Sequence, residues 1–473
     1  MGLVGRIREQ SVLTQSLQSK KPEFLVVYGR RRVGKTFLIK EYFRDRFAFY
    51  ATGVAEQKTR YQLSVFQDSL LRYGSAEKTA PRNWLEAFSR LRTLLMRDDI
   101  QRDPLSGKKV VFLDEMPWMD TPRSDFRAGL DYFWNSWGSS QRDLLLIVCG
   151  SATSWIIDHI LDDYGGFYNR ATRTIHLQPL TLRECAELFA SEGIPMSRRQ
   201  MIESYMVFGG IPYYLNCMDR RLSLAQNIDE LCFRQGGQLY YEYERLFQSL
   251  FRNPEKHMSV IRELAARESG LTRAELANVP DIGDGEPLTK TLRELEQSGF
   301  IRRYTAYLKK QRGAFYQLID PFTMFSVRYL RERTEKSWMS YINSPGYYAW
   351  CGHAFETVCL NHLPQIKETL GIAGVESEAY AWKSSDMSPG TQIDLLIDRR
   401  DQVINLCEMK FSLEPYVIDA AYEKQLLHRL SCFREETGTK KTLHLTLIAS
   451  EGLKQNAHSG IIQNLITGDD LFR

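Results

Sequence analysis

Residues 26–37 read VVYGRRRVGKTF, and the spacing Gly-x-x-x-x-Gly-Lys-Thr suits a chain of phosphates. Glycines at 29 and 34 let the backbone curl so that its N–H groups face phosphate oxygens. Lys35 adds a point charge toward the outer phosphates, and the Thr36 hydroxyl is a ligand type for magnesium. The expected nucleotide-binding set is therefore Gly29, Arg30, Arg31, Arg32, Val33, Gly34, Lys35, Thr36 and Phe37. Farther on, at 79 positions beyond Lys35 (114 minus 35), VVFLDEMPW supplies two carboxylates. Asp114 would bind magnesium through its water shell, and Glu115 would polarise an attacking water. The chemistry implied is hydrolysis of ATP with Mg2+.

A second concentration of charge lies in TQIDLLIDRRDQVINLCEMKF. Apolar runs at 391–398 and 403–411 flank a polar turn and predict an antiparallel hairpin. With the loop at 400–402, position 394 falls opposite 408, with Cβ atoms about 5 Å apart on one face. Asp394, Glu408 and Lys410 would then converge as a divalent-metal site with a companion cation. A metal there activates water and stabilises the leaving oxygen of a phosphodiester, while Lys410 holds the nucleophile or the developing charge. Upstream, CGHAFETVCLNHL reads as a helix that would bring Glu356 over the same sheet end to complete the metal shell. The alternative for Glu408 and Lys410 is an ion pair on the exposed face of a half-buried strand.

These residues need elements to hold them. FLVVY (24–28), FAFYA (47–51), VVFLD (110–114), LLLIVCG (144–150) and TRTIHL (172–177) alternate with helical stretches. Continuous apolar strands between helices predict a parallel sheet of five strands covered on both faces. Ser151 ends the fourth run, where a polar residue contacts the γ-phosphate or the water; otherwise it is a turn serine. Arg170 and Arg173 precede the fifth strand. They would reach a nucleotide on a neighbouring subunit, which requires a homo-oligomer, or they are solvated loop charges. From Thr181 the pattern turns helical. HMSVIRELAARESG, LTRAELANV and PLTKTLRELEQSGF are then followed by the hairpin pattern IRRYTAYLKKQRGAFYQLID, the order of a winged helix. Its third helix carries Lys290, Arg293, Glu294 and Glu296, and its wing Arg302, Arg303, Lys309, Lys310 and Arg312. The cations would grip DNA phosphates, with Glu294 and Glu296 opposing them, or the domain only packs or binds protein.

Composition sets the frame. A chain of 473 residues exceeds one ordinary core, and 43% hydrophobic with 25% charged residues is globular composition. A net charge of +4 does not by itself argue for nucleic acid or membrane. The eight cysteines include no Cys-x-x-Cys pair, which argues against a zinc site or a disulfide framework. No apolar run is long enough to span a bilayer and no signal-peptide pattern opens the chain, so a cytoplasmic protein without membrane partners is expected.

In order, LVGRIREQ, GRRRVGKT, FLDE, CGS, YNRATRTIHLQPL and GGIPYYL (209–215) resemble the P-loop ATPases of the AAA+/STAND group of archaea and bacteria that carry a C-terminal extension. That resemblance places Val4, Gly5 and Arg6 by the adenine. It also implies a helical lid in which GGIPYYL closes over the site, with Ile211 to Tyr214, Pro212 among them, near the nucleotide. Wider AAA+ relatives often carry asparagine where this chain has Ser151. Glu356, Asp394 and Glu408-x-Lys410 resemble, in order and spacing, the PD-(D/E)XK nuclease fold; Ile393 replaces the family's proline. Tyr422 and Gln425 lie on a helix that in such nucleases often adds a polar contact. The expected architecture is an α/β P-loop core (1–180), helical lid (181–254), winged helix (255–335) and PD-(D/E)XK-like domain (336–473). The expected function is an ATPase coupled to a nuclease using Mg2+, or Mn2+ at the second site, on nucleic acid in defence or mobile-element biology. The alternative is an ATP-switched regulator that binds DNA or protein and does not cleave.

Overall fold

The computed structural model describes residues 2–473 except 162–169, 252, 268–269, 308–313, 332–335 and 385–390. The chain divides into two compact units, Met1–Gln178 and Pro179–Arg473. The expected wing residues Lys309, Lys310 and Arg312 lie outside the described residues.

The first unit is built on a five-stranded sheet of β1 (Glu23–Tyr28), β2 (Phe49–Thr52), β3 (Lys109–Asp114), β4 (Leu144–Gly150) and β5 (Arg173–His176). The spatial order is β2-β3-β4-β1-β5, and every pairing is parallel. β3 and β4 are buried at every position, as a sheet covered on both faces requires. Trp84, Phe88, Phe126 and Phe133 of the helices Trp84–Leu95 and Phe126–Ser136 pack over one face with Phe24, Val26 and Leu146. β4 separates β1 from β3, so the loops after β1, β3 and β4 open at the same sheet end.

Between β1 and the helix Lys35–Phe43 the chain makes the tight phosphate-loop turn. Gly29 sits at φ +143°, and a Cβ there would lie 2.3 Å from the Leu177 carbonyl oxygen, so only glycine fits.

In the second unit, the stretches expected as lid, winged helix and nuclease-like domain are packed into one body. Buried His362 explains part of this. Its Nε2 accepts from the Leu182 N–H at 2.9 Å, satisfying the start of helix Leu182–Glu192, while its Nδ1 faces the Val358 carbonyl at 2.8 Å on helix Pro345–Asn361. Gly210 ties the same region: its carbonyl accepts from Leu180 N–H at 2.6 Å, and a Cβ there would meet the Leu180 oxygen at 1.8 Å.

Helices Pro254–Ala265, Arg273–Ala277 and Glu286–Gln297 share a core with a three-stranded antiparallel sheet. Its strands are β6 (Leu271–Thr272), β7 (Ile301–Thr305) and β8 (Ala314–Leu318), in the order β6-β8-β7.

The last sheet is five-stranded, ordered β13-β12-β11-β10-β9: β9 (Ser377–Lys383), β10 (Gln392–Arg399), β11 (Val403–Lys410), β12 (Thr442–Ala449) and β13 (Asn464–Thr467). The expected hairpin is present. β10 and β11 pair antiparallel, with Leu395 opposite Cys407 and Leu396 opposite Leu406. Helix Ala420–Thr437 connects β11 to β12, which run parallel. The sequence of elements is therefore helix, three antiparallel strands, helix, parallel strand.

Candidate active sites

At the mouth of the first sheet, the Lys35 ammonium donates to the carbonyl oxygens of Gly29 and Arg30, both at 2.8 Å, inside the loop it belongs to. Burial holds its pKa below the usual lysine range. Thr36 Oγ1 donates to Asp114 Oδ2 at 2.9 Å, so the hydroxyl and carboxylate expected to share a magnesium ion are adjacent. Burial raises the Asp114 pKa, and the neighbouring Glu115 charge raises it further. These are hard oxygen donors beside a phosphate loop, and they fit a magnesium ion that keeps part of its water shell.

Glu115 occupies a left-handed backbone conformation, φ 46°, uncommon for a side chain of this size. Its carboxylate is gripped at both oxygens by one residue. Ser151 Oγ donates to Oε1 at 2.6 Å, and the Ser151 N–H donates to Oε2 at 3.2 Å. Sequence reasoning placed Ser151 at the phosphate or the water; in the structure its partner is the carboxylate that would activate that water. The order β3-β4, with Glu115 and Ser151 following adjacent strands, is what brings them together.

Val4 and Gly5 lead into Arg6, which borders the same loop. Arg6, in the left-handed region at φ 58°, donates to the Val33 carbonyl at 3.1 Å and to the Gln178 carbonyl at 2.7 Å. Arg30 is buried, whereas Arg31 and Phe37 are exposed. Arg32 sits at φ 72°.

Arg173 stands at the start of β5, toward the end of the sheet away from the phosphate loop. It pairs with Glu23 at 3.5 Å and donates to Gln15 at 2.9 Å. It is thus engaged within its own unit. Arg170 is exposed just before it.

In the second unit, Pro212 opens the short helix Pro212–Leu215. Ile211 and Tyr214 are buried core residues. The Tyr214 hydroxyl donates to Glu242 at 2.9 Å and its ring packs on Phe322, whereas Tyr213 is exposed.

At the open end of β10 and β11, the paired register ends at Leu395 opposite Cys407, and Asp394 and Glu408 are the next residues along each strand. Burial, and after it the Glu408 charge, raise the Asp394 pKa; Gln392 Nε2 donates to Asp394 Oδ1 at 2.5 Å. Glu408 is tightly held. Lys410 approaches its Oε1 at 2.8 Å, the Tyr422 hydroxyl donates to the same oxygen at 2.5 Å, and Arg429 donates to Oε2. The Glu408–Lys410 ion pair weighed as the alternative is therefore present, with Arg429 added to it.

Glu356 lies on helix Pro345–Asn361, where Phe355 packs on Phe411 just beyond β11, and its carboxylate is 3.6 Å from His353. Among the described residues no three or more His, Cys, Asp or Glu side chains are grouped to hold a metal ion. Glu356, Asp394 and Glu408 do not form such a donor set in this arrangement. Arg429 was not foreseen, yet its signal is in the sequence: it follows Tyr422 by two helical turns and shares its face. Gln425 is exposed on the same helix.

On helix Glu286–Gln297, Glu294 turns inward to His257 Nε2 at 2.8 Å, and Glu296 is raised in pKa by burial. The carboxylates expected to oppose phosphate on that helix are thus partly internal, and Lys290 is exposed.

Residues 3–218 match a protein family described as an ATPase domain predominantly from Archaea. The chain is similar, at 25% identity over 334 residues, to an uncharacterized protein of Methanocaldococcus jannaschii, covering 69% of this chain and 68% of that one. Among solved structures it is similar to a Walker-type ATPase of Pyrococcus abyssi (18% identity, TM-score 0.48, 69% of this chain and 96% of that one). It is also similar to Cdc6p of Pyrobaculum aerophilum (12% identity, TM-score 0.33, 69% and 94%). No helix among the described residues is long and apolar enough to cross a membrane.

Proposed function

We propose that the first unit hydrolyses ATP through the residues gathered at its sheet end, and that the second unit acts on nucleic acid. The observation that carries the first part is the bidentate Ser151 grip on Glu115, one residue beyond the Asp114 that meets Thr36. Lys35 and the loop N–H groups hold the outer phosphates. Thr36 and Asp114 would hold magnesium, which neutralises charge on the phosphates when bound. Glu115 orients the water and takes its proton, and Ser151 sets the direction in which that carboxylate points.

For the second unit, the helix–three strands–helix–strand order with Asp394, Glu408 and Lys410 at neighbouring strand ends supports a nuclease-like domain of PD-(D/E)XK type. The Arg429 grip on Glu408 favours the reading in which that domain holds nucleic acid without cutting it, because a cation already occupies the carboxylate. Plasmid and oligonucleotide cleavage, with magnesium or manganese and with or without ATP, separates the two. Cleavage lost in Asp394→Ala but with ATP turnover intact supports a nuclease. Binding without cleavage, in the parent and in Arg429→Ala alike, supports the holding form.

A further inference from the structure

Where β7 runs into β9, the second unit carries a cavity of about 180 Å3 that opens to solvent. The Ala306–Ala381 bridge and a hydrogen bond from Tyr307 N–H to the Ala381 carbonyl, 3.0 Å, close the seam between the two strands. Tyr304 and Phe315 are cross-strand partners on β7 and β8, and their rings stack on one another, 5.7 Å between centroids and 16° apart in plane. Arg302 lies 4.8 Å over the Tyr304 ring and donates to Gln317.

Arg267 and Lys383 line the cavity and are exposed to solvent. The facing carboxylate, Glu275, is already engaged as the cap of Thr272, accepting from its N–H and hydroxyl at 2.7 Å each. Gln392 also lines the cavity, and its amide is the group that donates to Asp394. The cavity therefore joins a stacked aromatic pair, cations and the carboxylate end of the β10–β11 hairpin.

The volume is smaller than sites that enclose whole cofactors, about 300–1,000 Å3, and suits a single flat ring. The face of Phe315 turned away from Tyr304 can stack on the π-face of any base, and nearby cations suit the attached phosphate. A base in a duplex has its faces covered by its neighbours, so only an unstacked base presents one. We propose that this cavity takes one unpaired base of a single-stranded nucleic acid and sets the adjoining phosphodiester toward Asp394. This rests on the nucleic-acid reading of the second unit and holds whether or not the strand is cut.

The test uses the full chain in a chelator, so that cleavage plays no part. The probes are fluorescein-labelled single strands of DNA and of RNA, about 12 nucleotides long, carrying one 2-aminopurine, and the matched duplexes. Anisotropy should show single strands bound tighter than duplex, with 2-aminopurine fluorescence quenched on binding. Phe315→Leu and Tyr304→Leu keep apolar volume but remove the ring, and each should weaken single-strand binding about tenfold while leaving duplex binding unchanged. Lys383→Ala should weaken both DNA and RNA strands and reduce the salt dependence by about one ion. Thermal melts of each variant establish that it is folded. Parent-like single-strand affinity in the folded Phe315→Leu, Tyr304→Leu double variant overturns the cavity while sparing the nucleic-acid reading. A parent that binds neither strand form overturns both. Quenching without any cleavage upon adding metal supports the cavity and counts against the nuclease.

Discussion

Glu115 and Ser151 carry most of what is specific about the ATP site. A carboxylate held at both oxygens is fixed in direction, at the cost of a backbone in the left-handed region. Ser151→Ala should leave nucleotide affinity nearly unchanged and lower turnover about tenfold, because it frees the base without removing it. Equilibrium binding of a labelled nucleotide and steady-state phosphate release measure the two separately; a loss of affinity equal to the loss of turnover would contradict the role. The phosphate-loop residues and Asp114-Glu115 were legible in the sequence because their chemistry depends on spacing along one strand–loop–helix. The Ser151–Glu115 pair and the Arg429–Glu408 pair were not, since each joins side chains from different elements. Arg173 shows the converse: an arginine in the right stretch for a trans-acting role is engaged by Glu23 at the base of its own sheet.

Among the elements, strands announced themselves better than packing did. The parallel sheet and the β10–β11 hairpin followed from apolar runs and the polar turn between them. What the periodicity could not convey was that His362 and Gly210 join distant parts of the second unit. His362 is buried and neutral, accepting at Nε2 from Leu182, and burial lowers its pKa to about 4. The unfolded chain binds its proton near pH 6.5, so between about 6.5 and 4 the unfolded state takes up more protons than the folded one. Stability supplied by neutral His362 is therefore present above pH 6.5, falls as pH drops, and is fully lost below about 4. Denaturant melts at neutral pH and near pH 4.5 should show a loss on the order of 3 kcal/mol that is absent in His362→Phe. The variant should be the less stable protein at neutral pH, where it leaves the Leu182 N–H without its acceptor. Equal pH dependence in parent and variant would remove His362 from this role.

At the scale of the whole molecule, the chain divides into two compact units, and the second holds the stretches expected as lid, winged helix and nuclease-like domain, the last two each around its own cluster of buried residues. On the proposed reading, phosphate chemistry belongs to the first unit and nucleic-acid contact to the second. If Arg170 acts on a neighbouring copy's nucleotide, turnover per subunit should rise with protein concentration. Mixing Arg170→Ala with Glu115→Gln subunits should then recover activity that neither has alone, whereas additive rates at every ratio would refute the trans-acting arginine. The central claim, that the first unit turns over ATP through Lys35 and Glu115, is tested most directly by one paired measurement on the full chain: nucleotide affinity and magnesium-dependent phosphate release for the parent, Lys35→Ala and Glu115→Gln. Lys35→Ala should lose both, while Glu115→Gln should bind as the parent does and release phosphate at least about 100-fold more slowly. Phosphate release at the parent rate by Lys35→Ala would contradict the account.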